Sequence, residues 1–152
     1  MHATNILTSV THLAPRTRAD AFGKRLLLVN GLVLGTVAFV AGIIDLVGVF
    51  GGAGPLAQFV GQPVMVGMFE AHCLALLTSV LMLVHRRADG ALWNLVGGIM
   101  HLVFFTANLM FWQFFVDTSA VPMGTAITAM HLVFLVLEFA AALWRRSEGR
   151  AL

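Results

Sequence analysis

Residues 100–106 read MHLVFFT and residues 130–136 read MHLVFLV, so the same five letters recur thirty residues apart, each with a histidine inside a long apolar run. Imidazole can exchange a proton near neutral pH, donate one hydrogen bond and accept another, or ligate zinc, copper or iron. A third histidine, His72, stands in another apolar run two residues after Glu70. Asn94, Asn108, Thr128 and Glu138 lie in the same stretches as the repeated histidines. An ionisable group inside hydrocarbon costs about 2.5 kcal/mol or more. Three imidazoles and a carboxylate retained there are therefore the first candidates for function.

The elements that carry them follow from composition. Charged residues make up 11% of the chain and hydrophobic ones 59%, against roughly 25% charged in a soluble domain. Four apolar runs, 26–50, 64–84, 91–115 and 121–144, each reach about the 20 residues needed to cross a hydrocarbon core of about 30 Å. The expected class is an all-α integral membrane protein of one domain. It should be an up-down antiparallel four-helix transmembrane bundle with helices near 25–50, 63–86, 91–116 and 121–146. Residues 1–24 would form a polar tail before it and 147–152 a short tail after it. The first run is too long for the apolar core of a signal peptide, and no cleavage site follows it.

All nine basic residues fall at one set of ends. Arg16, Arg18, Lys24 and Arg25 precede the first run, Arg86 and Arg87 join the second to the third, and Arg145, Arg146 and Arg150 follow the fourth. The connections 51–62 and 116–120 have none. Basic residues are retained on the cytoplasmic side, so both termini are expected in the cytoplasm and the chain in the inner cell membrane. The arginines then serve topology, and nothing points to nucleic acid. Trp93, Trp112 and Trp144 stand at run ends, where aromatic belts form, and Pro63 and Pro122 stand near helix starts. The single cysteine, Cys73, excludes an internal disulfide.

Depth and rotation assemble the site. His101 and His131 lie near the middles of their runs, and so does His72. In adjacent antiparallel helices, residues at one level have a constant sum of numbers. Asn94 with Glu138, His101 with His131, and Asn108 with Gly124 all sum to 232. Positions seven apart nearly eclipse on a helix, which puts Asn94, His101 and Asn108 on one stripe and Gly124, His131, Glu138 and Arg145 on another. Glu70 and His72 are about 200° apart on their helix and cannot point at one spot unless it is distorted.

The sharpest reading makes His72, His101, His131 and Glu70 a ligand set for haem b or a transition-metal ion in a redox or electron-transfer role. Asn94, Asn108, Thr128 and Glu138 would hydrogen-bond the ligands. Gly97, Gly98, Phe104, Phe105 and Phe134 are candidates to line a haem slot. No HxxxH, HxxE or CxxCH spacing accompanies them. The alternatives are a pocket for a lipophilic molecule such as a quinone or lipid, a proton relay, or core histidines that only join helices. No catalytic residue stands out. The expected surroundings are membrane lipid and either a membrane-protein partner or a second copy. The first run reads as scaffold, with Gly31 and Gly35 forming GxxxG, extended by Ala38 and Gly42. Asn30 is expected near the inner interface and Asp45 near the outer one, in contact with water.

Overall fold

A computed structural model describes residues 17–54, 56–88 and 91–148. The terminal residues 1–16 and 149–152 of the expected tails lie outside the described residues. Among the described residues all regular structure is helical, and four helices are long and apolar enough to cross a membrane.

The first helix, α1 (Arg18–Gly51), starts earlier than its apolar run. Thr17 is extended and its hydroxyl oxygen accepts the Asp20 N–H at 3.1 Å, satisfying one of the unpaired donors of a helix start. Residues 18–24, expected in the tail, are thus the first turns of α1. It ends at Gly52, whose φ of 56° is left-handed and suits glycine. A single 3-10 turn, Ala57–Phe59, leads to α2 (Pro63–His85), with proline at its first position. The third run divides into α3 (Leu92–Met110) and α4 (Trp112–Asp117), where one helix over 91–116 was expected. Neither proline nor glycine marks the break at Phe111. Packing accounts for it: the Phe115 ring lies so close over Gly124 that a Cβ there would stand 2.5 Å from it, and Phe114 meets Phe59 at 5.2 Å. The last helix, α5 (Val121–Glu148), completes the bundle.

Helix α1 packs chiefly on α2 and α3 on α5, and α1 against α5 joins the two pairs. Opposed residues run in opposite order. Gly31 faces Leu83 and Ser79, Gly35 faces Ser79, and Asp45 meets His72; His101 meets His131 and Asn94 meets Glu138. The GxxxG strip works as a contact surface, because a Cβ on Gly31 would stand 2.8 Å from Leu83 Cγ and 3.2 Å from the Ser79 carbonyl oxygen. It does not extend to Gly42, around which there is open space.

Polarity is distributed inside out. The largest fully buried side chains include His101, Glu138, Asn30, Asn94 and Asp45, whereas Leu, Val and Phe side chains crowd the outside. Lipid tails are as apolar as leucine, so burial of leucine does not hold such helices together; close backbone approach and hydrogen bonds between helices do. A Gly31→Ile substitution should therefore lower the thermal midpoint of the detergent-solubilised protein, at a cost of about 1–3 kcal/mol for overpacking, while Gly42→Ile should leave it nearly unchanged.

Candidate functional site

The site is built by α1, α3 and α5, starting at the end of the bundle that bears the arginines. Arg145 on α5 is buried and reaches across to α1, with Nη2 donating to Asp20 Oδ1 at 2.7 Å. Asp20 also pairs with Lys24 one turn along α1, at 2.8 Å. The second nitrogen, Nη1, donates to Asn94 Oδ1 on α3 at 2.7 Å. Asn94 Nδ2 donates to Glu138 Oε2 at 2.7 Å and to the Gly23 carbonyl at 3.2 Å. The other carboxylate oxygen, Oε1, accepts from Asn30 Nδ2 on α1 at 2.7 Å. Asn30 Oδ1 then meets His101 Nε2 at 2.8 Å, and His101 Nδ1 meets His131 Nδ1 at 2.9 Å. An unbroken chain of hydrogen bonds thus runs from Asp20 to the histidine pair.

Two glycines give it room. A Cβ on Gly23 would stand 2.6 Å from Arg145 Cδ and 2.8 Å from Asn94 Oδ1, and one on Gly97 would stand 3.0 Å from Met82 Cε and 3.1 Å from Glu138 Cδ. Aromatic rings enclose the far end: Phe134 stacks on His101 at 5.2 Å and Phe104 lies 5.3 Å from His131.

The direction of donation can be derived. A guanidinium only donates, so Asn94 must turn its oxygen to Arg145 and its nitrogen to Glu138. Glu138 accepts there and, as a carboxylate, accepts at its other oxygen too, so Asn30 also presents its nitrogen to Glu138. The Asn30 oxygen is left to accept from His101 Nε2–H. In neutral His101 the Nδ1 lone pair then accepts from His131 Nδ1–H, and His131 keeps its lone pair on Nε2. Donors from both directions converge on Glu138, which as a carboxylate only accepts.

The expected ligand set does not come together. His101 and His131 are in contact, but His72 pairs with Asp45, Nδ1 to Oδ2 at 2.6 Å, and Glu70 is exposed on the outside of α2. The 200° between Glu70 and His72 decides this, since α2 is regular and only one of the two can face α1. Among the described residues, no group of three or more His, Cys, Asp or Glu is placed to hold a metal ion. The slot is filled by the protein itself: Glu138 and Met82 lie against Gly97, and the Phe139 ring lies flat on Gly98, 3.1 Å from where a Cβ would be. Both nitrogens of His101 already face protein partners, so ligation there would require breaking one of those bonds.

Asn94 and Glu138 are members of the chain itself. Among the described residues, Thr128 Oγ1, Asn108 Nδ2 and Asp45 Oδ1 are buried with no hydrogen-bond partner. Asp45, expected in contact with water, is fully buried. Sequence reasoning missed Asn30, Asp20 and Arg145 as members. A signal for Asn30 existed, because Ala19, Gly23, Leu26, Asn30, Leu34, Ala38 and Asp45 recur at helical spacing on one face of α1, and all are buried. Compared with protein-family models, curated proteins and solved structures, the chain matches none.

Replacing Asn30 with Leu leaves Glu138 Oε1 and the His101 Nε2–H unpaired, at about 1–3 kcal/mol for each buried group. The variant should lose several degrees or more of thermal stability in detergent. Asn108→Leu removes a buried donor that has no partner and should stay within about 1 kcal/mol of the parent.

Proposed function

We propose that this is a multi-pass protein of the inner membrane, its arginine-bearing end in the cytoplasm, that reversibly takes up a proton at the His101–His131 pair. The observation that carries this reading is the order of donors and acceptors. With His131 donating from Nδ1, a proton added at Nε2 gives an imidazolium while every hydrogen bond of the chain keeps its donor and its acceptor. The network is thus arranged to accept one charge without rearrangement, which lowers the reorganisation needed at a buried site.

Glu138 supplies the counter-charge. It lies seven residues from His131 on α5, about 10 Å along the axis, which at an effective dielectric of 20 is worth about 1.5 kcal/mol. Arg145 is a further seven residues away, about 10 Å more, so the carboxylate outweighs it at the histidines. Taken alone, the attraction of Glu138 favours proton uptake by roughly tenfold over the same pair without it. It does not fix the imidazolium permanently, as a reversible site requires.

Asn30 ends the route. A carboxamide transmits hydrogen-bond polarity, but it cannot pass a proton along without first becoming an imidic acid. Access is therefore from the other end, where Thr128 lies one turn and Asn108 two turns beyond the pair on α5 and α3. Their buried, unpartnered atoms suit a lining for water, since buried polar groups are nearly always hydrogen-bonded. The orientation rests on the basic residues Arg86, Arg87, Arg145 and Arg146 sharing one end.

Solid-state 15N NMR of histidine-labelled protein in bilayers tests the proposal. At high pH the His131 ring should carry hydrogen on Nδ1 alone and the His101 ring on Nε2 alone. On acidification one ring should become doubly protonated while the contact between the rings persists. Glu138→Gln should lower the share of that form roughly tenfold at a given pH. Two rings that stay neutral over the whole range in which the fold survives would reduce the pair to a structural link.

A further inference from the structure

Glu70 has no use in the chain of hydrogen bonds, yet its position is costly. It lies seven residues inside the start of α2, about 10 Å, and fifteen residues from the end at His85, about 22 Å. At that depth an exposed carboxyl group meets acyl chains unless something covers it. No hydrogen bond or ion pair joins it to any described residue. On the side of α2 towards α1, His72 and Asp45 are engaged with each other. One turn before Glu70, Gly67 has nothing within 4 Å of where a Cβ would stand. Val66, Cys73, Leu74 and Leu77 are exposed around them, so residues 66, 67, 70, 73, 74 and 77 form one outward face at helical spacing.

We propose that this face packs against the same face of a second copy, and that the two Glu70 carboxyls, in the acid form, hydrogen-bond each other. Ionisable side chains at such depth are found facing protein and paired, so the question is which group meets Glu70. In a two-fold pair whose axis lies along the membrane normal, each residue meets its own level of the other copy. The arginines and lysine among the described residues belong to the opposite end of α2, Arg86 and Arg87 directly after it, and His72 near this level is taken by Asp45, so no unpaired cation of a second copy reaches Glu70. A neutral carboxyl group needs none, because it carries one donor and one acceptor. Two of them facing each other close two hydrogen bonds and bury no net charge. Gly67 admits the close backbone approach that helix pairs in lipid require. The inference is independent of the histidine pair.

Cys73 lies one turn from Glu70 on the same face and is exposed, which makes it a native cross-linking probe. In membranes containing the full chain, oxidation or a short bis-maleimide should give a covalent species of twice the chain mass. Glu70→Gln should retain it, since a carboxamide also both donates and accepts. Glu70→Ala and Gly67→Leu should each lower the yield roughly tenfold, with unchanged thermal stability of the individual chain because both positions face outward. Equal yields in Glu70→Ala and the parent, a monomer throughout, or a cross-link to a different protein would each overturn the pairing.

Discussion

Arg145 can donate hydrogen bonds but cannot accept them, and that asymmetry orders the interior of this bundle. It turns the oxygen of Asn94 towards α5, which sends the nitrogen of Asn94 to Glu138. Glu138 then accepts from two carboxamides, and the second of these, Asn30, is left with an oxygen for His101. Three helices are tied by groups whose roles follow from one another. A lysine at 145 would be a weaker substitute, because the forked guanidinium reaches Asp20, Asn94 and the Ala88 carbonyl together in a fixed plane.

Lipid solvation explains why so much polarity is interior. In water a four-helix bundle is held by an apolar core, but in a membrane leucine gains nothing by leaving the tails. The apolar clusters here are small: Leu26, Phe134 and Ala141 form one, and Leu34, Ala38 and Ala75 another, against which Phe104 packs. The second lies immediately beyond the histidine pair on the side away from the arginines. Towards the basic end the polar chain is closed, each link at 2.7–2.9 Å from Arg145 to His131. Level with Phe104 lies Thr128, and beyond it Asn108 and Asp45, each with a buried atom that has no hydrogen-bond partner among the described residues. The two halves thus differ: in one each polar group is paired within the chain, and in the other buried polar atoms remain unpaired.

How much of this was legible depended on whether an arrangement could be computed from one helix pair. Antiparallel neighbours impose a constant sum, and the sum of 232 pairs both His101 with His131 and Asn94 with Glu138, the contacts found in the structure. The four membrane-length helices were legible for the same reason, since span length and hydropathy are local properties. Asn30 was not, because its partners lie on two other helices and no periodicity in α1 says which neighbours its polar face meets. The small strip Gly31–Gly35 drew attention to the α2 side of α1, while Asn30 next to it faces α3 and α5. Depth misled in the case of His72. It is close to mid-run, yet α2 contacts α3 only weakly, so its imidazole meets Asp45 instead of the other two. The break at Phe111 was invisible because its cause is Phe115 finding Gly124, a contact between separate helices.

Two of the bundle's acid–base arrangements show what the carboxamides accomplish. Asp45 and His72 touch directly, Oδ2 to Nδ1 at 2.6 Å, with nothing between them. Glu138 and His101 are instead held apart by Asn30, and Glu138 and Arg145 by Asn94. Each amide conveys orientation and lets charge be felt across the gap, but neither will carry a proton. In the proposed proton site this arrangement separates electrostatic influence from proton movement: the carboxylate would bias the histidines while staying chemically isolated from them. Were Asn30 an aspartate or a histidine, a proton taken up in that proposed role could run on to Glu138 and the counter-charge would be lost. A carboxamide between base and carboxylate is the residue type that keeps both in place, and it is the feature that makes a bound charge at the pair compatible with an intact network.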